Sequence, residues 1–332
     1  MQRPRVIISV IAAAVLATAA AATAGAPPAV AGAGAGAGAG GLVGTVRDTC
    51  GVPVRDATIV VYPSDLSGSE VARTSTGTAG RFRVPALEAG SYTILIDRDG
   101  WSEWAPGRIT DPAGATTYRV VAGHTTRANS VVTAAGVIAG RVTAPHGGPA
   151  GGIRVTVEGP SASAWDTVTA AGGTYSMSLP PGTGYTVSFT NGELTQYSPR
   201  TLDRAQARQY TVTSGRVTRV SERLLPPAVL TGRLVDESGN PVAGAQVGVS
   251  IAATAGFASA TTGPDGRYRL DTMPPGDVTI LFTTPDGREQ WAHQKTSSDQ
   301  ADLFTLALGT ITTVDETLLP LTSPALRGRG AA

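Results

Sequence analysis

A chain of 332 residues holds a single cysteine, Cys50, and a single lysine, Lys295. With no second cysteine there is no internal disulfide, so the domains must fold on packing alone. Charged residues make up only 15% of the chain, 26 basic against 25 acidic. So even a balance leaves no electrostatic footprint for phosphate backbones, which excludes nucleic acid as a partner. No segment carries apolar residues at 3.6-residue spacing between helix caps, so a helical core is not expected. Aromatics are 5% of the residues, few enough that each one can be asked what it is for.

The usual chemical apparatus is missing too. The three histidines, His124, His146 and His293, are far apart in sequence, and none has a His or Glu at metal-ligand spacing. His124 and His146 stand in Gly- and Pro-rich turns and are expected to be solvated. Acidic residues such as Asp97, Asp99, Asp236, Asp265 and Asp286 sit in turn contexts rather than as paired carboxylates across a cleft. The run Asp97-Arg98-Asp99-Gly100 lacks the further ligands and closing Glu of a calcium loop. No nucleophile elbow and no phosphate-cradling loop occurs. A non-enzyme without metal or cofactor is expected.

What is present is order. Arg3 and Arg5 precede an apolar run, Val6 to Leu16, broken only by Ser9 and followed by Ala22-Thr23-Ala24. That is the layout of an export signal cleaved after Ala24. A retained anchor is the alternative, though the run is short and Ala-rich for a membrane span. Cleavage would remove two positive charges and leave a secreted chain at about −1 with no membrane attachment. Residues 25–41, with alternating Ala and Gly from Ala31 to Gly40, have nothing to bury and are expected to be a flexible linker.

A phrase then recurs three times. Gly44-Thr45-Val46 returns as Gly140-Arg141-Val142 and as Gly232-Arg233-Leu234, and a proline (Pro53, Pro149, Pro241) follows each glycine nine residues later. Fixed offsets of this kind mark tandem copies of one unit. In each copy an opening strand leads to a turn, then to alternating apolar residues: Ile59 and Val61, Val155 and Val157, Val247 and Val249. A Gly-x-aromatic strand follows, at Phe82, Tyr175 and Tyr268. The next alternating strand ends at Asp99-Gly100, Asn191-Gly192 or Asp286-Gly287, dipeptides suited to hairpin turns. About seven short strands per copy point to an antiparallel β-sandwich.

These residues resemble the carboxypeptidase regulatory-like domain. The resemblance rests on Gly-x-Val/Leu, the Gly-x-Pro turn, Ala-x-Val-x-Val and the two later Gly-x-aromatic strands, and it spans residues 42 to 320. It implies an all-β chain of three tandem seven-stranded, antiparallel Greek-key β-sandwiches of transthyretin-like fold, over 42–134, 137–226 and 229–320, with a disordered tail over 321–332. The family is named for a non-catalytic domain and is classified beside starch-binding modules. Similar repeats look like accessory parts of secreted α-amylase-type enzymes.

Two functions stay open: an extracellular structural or adhesive scaffold, with a cell-surface protein as partner, or a polysaccharide-binding accessory protein. Trp104, Tyr197 and Trp291 recur four or five residues after each hairpin glycine. They are either sugar-stacking faces or packing positions that every copy must fill. Trp101, with no aromatic counterpart, is expected exposed. Trp165 aligns approximately with Phe257 and Val71 and is expected in the core. Cys50 stands where Ser238 stands in the third copy, either an incidental turn residue or a thiol open to pairing between chains.

Overall fold

The computed structural model describes residues 39–320 except 99–100, 108–109, 161–162 and 253–254. The expected signal, nearly all of the Ala/Gly linker, the tail and the Asp99-Gly100 turn lie outside those residues.

The first unit contains β1 (Gly40–Asp48), β2 (Thr58–Pro63), β3 (Ala72–Ser75), β4 (Arg81–Leu87), β5 (Gly90–Arg98), β6 (Trp101–Trp104), β7 (Tyr118–Val120), β8 (Thr125–Arg127) and β9 (Ser130–Val132). One sheet has the order β4-β1-β8, with β9 also on β1; the other has the order β3-β2-β5-β6, with β7 also on β5. β8 and β9 keep one register along β1, Gly41 opposite Thr125 and Val46 opposite Ser130, so they share one lane. β6 and β7 likewise share the free side of β5. Nine segments therefore fill seven lanes. The strands of Gly136–Arg223 and of Ala228–Thr317 repeat both sheets in the same order.

Each set of sheets encloses its own apolar cluster. Period-two alternation does this: Ile59, Val61, Ile94 and Ile96 face inward and are essentially fully buried. β1 begins at Gly40, two residues before the opening strand expected from Leu42, because a ladder needs backbone groups and not side chains. A side chain would in fact not fit there, since a Cβ on Gly40 would lie 2.4 Å from the Val121 carbonyl oxygen.

The fold is the expected all-β sandwich with one amendment to its antiparallel character. β1 runs parallel to β8 and β9, as do their counterparts in the other two units. Seven lanes that reverse at each turn leave the first and seventh pointing the same way, and closing the sandwich sets them side by side.

That contact explains the recurring glycine. A Cβ on Gly44, Gly140 or Gly232 would stand 2.2, 1.8 or 1.9 Å from the carbonyl oxygen of Ala128, Val220 or Val314, all in the last lane. The last lane breaks at this point. The next backbone N–H of the first strand, at Thr45, Arg141 or Arg233, donates to the side chain of Asn129, Ser221 or Asp315 instead of a carbonyl. In the second and third units the hydroxyls of Tyr175 and Tyr268 donate to the same carbonyls, of Val220 and Val314, at 2.6 and 2.7 Å. The recurring prolines close the first turn, each bridged to the end of the first strand: Arg47–Pro53, Thr143–Pro149 and Val235–Pro241.

Two hairpins differ from the dipeptide reading. Asn191 pairs with Leu194, so Gly192 and Glu193 form the turn, one residue later than expected. Gly192, at φ 59°, takes the first central position where a primed turn needs a positive φ. In the third unit five residues separate Thr283 from Glu289, and Asp286 is held by the Thr284 hydroxyl. At the joints, the Ala134 N–H donates to Thr49 Oγ1 at 3.0 Å, the Ser214 hydroxyl to the Ala134 carbonyl at 2.8 Å, and the Gly309 N–H to the Pro227 carbonyl at 3.1 Å.

Gly140→Ala should destabilise its unit by about 3 kcal/mol or more, since backbone and not a pliable side chain blocks the new methyl. Chemical denaturation checks this; a cost below about 1 kcal/mol would mean that the strands can part there freely.

Candidate ligand-binding face

Alternation along β6 sends Trp104 to the outer face of the four-lane sheet, and Tyr197 and Trp291 go the same way on Leu194–Tyr197 and Glu289–Trp291. All three are half-buried. Pairing sets them at one end of a row across the sheet. In the first unit the row is Trp104, Leu95, Val60 and Arg73. In the second it is Tyr197, Ser188, Thr156 and Asp166. In the third it is Trp291, Leu281, Gly248 and Ser259. The Tyr62 ring lies 5.6 Å from Trp104, tilted 55°, and beneath this pair Val60 and Thr93 are 3% exposed although they face outward. The first and third rows thus offer an aromatic beside aliphatic surface. The second is polar, with the Thr156 hydroxyl donating to Asp166 at 2.5 Å.

The residue before each aromatic points the other way, and sequence reasoning missed it. Glu103, Gln196 and Gln290 are buried and reach across to the segment that leaves each unit. Glu103 Oε2 accepts the Thr133 N–H at 2.9 Å, Gln196 Oε1 the Leu225 N–H at 2.6 Å, and Gln290 Oε1 the Leu319 N–H at 2.8 Å. In the last two units the amide Nε2 also donates to a buried glutamate on the last strand, Glu222 at 3.2 Å and Glu316 at 2.6 Å. Glu316 further accepts the His293 and Gln294 N–H groups, which fixes a turn where both residues have φ near 59°. Ser130 takes the place of Glu222 and Glu316 in the first unit, opposite Val46 as they are opposite Val142 and Leu234. The visible signal was a Glu or Gln directly before each recurring aromatic.

Trp101 is half-buried rather than exposed. It stands opposite Arg98 in the ladder, whose guanidinium lies 4.6 Å from its ring centre. Trp165 packs partly against the core, 6.1 Å from the Tyr185 ring, but Phe257 is 62% and Val71 47% exposed. Trp165 pairs with inward Val157, whereas Phe257 pairs with outward Ser250, and a one-residue offset in a strand reverses the face. Cys50 is an exposed, unpaired thiol, and its Sγ would lie 2.9 Å from a Cβ on Gly215. His124 and His146 are exposed, and the His293 ring bonds Asp302 at 2.8 Å. Among the described residues no group of three or more His, Cys, Asp and Glu could hold a metal, and no helix is long and apolar enough to cross a membrane.

A family model described as the carboxypeptidase regulatory-like domain matches residues 41–133 and 229–318, leaving the middle unit unmatched although it keeps the same sheets. No curated protein matches the chain. Among solved structures it is similar to a streptococcal ancillary pilin, at 15% identity over 83% of this chain and 98% of that one, with a TM-score of 0.32. A minor pilin of Streptococcus agalactiae is 13% identical over 56% of this chain and 97% of that one, at 0.30. The Bacillus anthracis TIE protein is 14% identical at 0.25; the match covers 84% of this chain and 51% of that one, so the chain spans about half its length. Likenesses this slight carry no argument about function.

Burial pushes the Glu222 and Glu316 carboxyls above the ordinary glutamate value, against the opposing pull of the hydrogen bonds they accept. Between the unfolded and folded values the folded state binds more protons, so their contribution to stability rises as pH falls through that window. The melting temperature should therefore climb as the pH is lowered toward the ordinary glutamate value, and the Glu222→Gln, Glu316→Gln double variant should lose that climb. The same climb in the variant would assign it to other groups.

Proposed function

The chain belongs to the carboxypeptidase regulatory-like domain family, and from that premise we propose that it is a non-catalytic, exported scaffold whose three tandem sandwiches carry mechanical load at the cell exterior. One observation carries the reading: the parallel contact between the first and last strands of each unit. The chain enters the first unit at Gly40 and leaves it after Val132, opposite Asp48, at the other end of the same strand pair. Tension on the chain ends thus slides β1 along β8 and β9. All the hydrogen bonds of a sheared pair resist together, whereas a hairpin pulled from one end opens bond by bond. The buried Glu103, Gln196 and Gln290 add a side-chain tie at each exit, directly where the load leaves the unit. Joints of three and four residues, 133–135 and 224–227, are short enough to pass force with little slack. The expected signal over residues 1–24 supports export.

Single-molecule pulling on the chain tests this. Repeated high-force unfolding events are expected, and Gln290→Ala should lower the force of one of them, since forced unfolding follows the barrier and not the equilibrium stability. Three low-force events insensitive to Gln290→Ala would remove the load-bearing role.

A second reading is a polysaccharide-binding accessory protein, favoured by Trp104 beside Leu95 and Tyr62 and by Trp291 beside Leu281. A flat apolar face of this kind suits the C–H face of a sugar ring. It requires retention on an insoluble polysaccharide that Trp104→Ala and Trp291→Ala together abolish without unfolding the chain. Retention on none of starch, cellulose, chitin and peptidoglycan would rule it out for those polymers.

A further inference from the structure

Among the described residues no further strand pairs with one equivalent edge of each four-lane sheet: β3, Ala164–Val168 and Gly256–Thr261. An open edge presents unpaired N–H and C=O groups, and proteins guard such edges with charge or by keeping them short. The first edge is four residues long and carries Arg73, ion-paired with Glu70 at 2.5 Å. The second carries Asp166 at its centre. The third is Gly-Phe-Ala-Ser-Ala-Thr, six residues without a charge. It is also the apolar one. Phe257 is 62% exposed and neighbouring Leu303 63%, and they border a groove of about 430 Å³ that Ser250, Ile251, Ala255 and Thr279 help to line. Gly248 makes room for the Phe257 ring, which lies 3.0 Å from where a Cβ would stand, so the ring rests against its own sheet. The other uncharged six-residue edge, Thr174–Leu179, exposes only Thr174, Ser176 and Ser178 and has no apolar surface to hide.

We propose that residues Phe257–Thr261 of this strand are a pairing edge for a second copy of this chain, joined antiparallel about a two-fold axis at Ser259. The strand is complementary to itself in that register. Phe257 of one copy falls opposite Thr261 of the other, an aromatic with a β-branched residue, which is a favourable cross-strand pair. Ala258 falls opposite Ala260 on the inner side and Ser259 opposite itself. Exposure alternates to match, with Phe257, Ser259 and Thr261 outward and Ala258 and Ala260 turned toward the core. The four-lane sheet thereby continues from one copy into the other without a break in its faces. Charge selects this edge over its equivalents. The same two-fold pairing at the second unit would set Asp166 against Asp166, and centred on Arg73 at the first it would set two arginines face to face. Because identical surfaces meet, the contact closes at two copies and does not propagate.

Sedimentation velocity on the purified full chain, from micromolar to submillimolar concentration, tests the proposal. A concentration-dependent monomer–dimer equilibrium is expected. Ser259→Lys places two ammonium groups together at the axis and should raise the dissociation constant by about tenfold or more. Its side chain is exposed, so at concentrations where the parent is monomeric the melting temperature should stay that of the parent. Val168→Lys, an added charge at an exposed position on the equivalent edge of the second unit, should leave the equilibrium unchanged. A chain that is monomeric throughout, a dimer indifferent to Ser259→Lys, or growth to open-ended assemblies would each overturn the proposal. So would capture of a different protein's extended segment at this edge with no self-association.

Discussion

The carbonyl oxygens of Ala128, Val220 and Val314 occupy the space where a side chain at Gly44, Gly140 or Gly232 would have to stand. Backbone meets backbone there, between the first and last strands of each unit, and the rest of the unit is arranged around that meeting. The strands run parallel because seven lanes separate them. The last lane breaks beside the glycine because the approach is too close for a regular ladder. Asn129, Ser221 and Asp315 then supply the acceptor that the ladder has lost. A tyrosine hydroxyl fastens the same carbonyl in two units, while the first has Phe82 in that place and does without the bond.

The outward and inward faces of one short strand perform different tasks. At Glu103-Trp104, Gln196-Tyr197 and Gln290-Trp291, the first residue ties the exit segment and the second covers the sheet. Burying Gln196 or Gln290 is tolerable because both ends of the amide are hydrogen-bonded. The neighbouring glutamates Glu222 and Glu316 are buried with charge at stake, which is why burial raises their proton affinity even among several donors. A ligand seated on Trp104 or Trp291 would press on the strand that holds the exit, so binding and load would meet at one element.

The repeat and its strands were legible because period-two alternation and glycine at fixed offsets are local signals. Residues such as Ile59, Val155 and Val247 announce a half-buried strand wherever they occur. The parallel contact was not legible, because the partners of Gly41 to Val43 lie 84 residues downstream and strand direction is a property of the closed sandwich. Trp165 and Phe257 could not be sorted by alignment, since a one-residue offset decides which face a strand residue takes. Trp101 is half-buried against its cross-strand neighbour Arg98, a contact no local pattern announces, and buried Gln196 and Gln290 do not look like core because they are polar residues beside an aromatic.

Native-state hydrogen exchange at the first–last strand contact is the measurement that bears on all of this. The Ala128, Val220 and Val314 amides donate to Val43, Ala139 and Thr231 carbonyls at 2.8 to 2.9 Å, and Leu225 and Leu319 donate to the buried glutamines. If this contact holds each unit together, these amides open only with global unfolding and are among the slowest to exchange. Exchange as fast as that of the turn amides Gly51 and Gly239 would show that the last strand comes away on its own, and the contact would not be what the fold depends on.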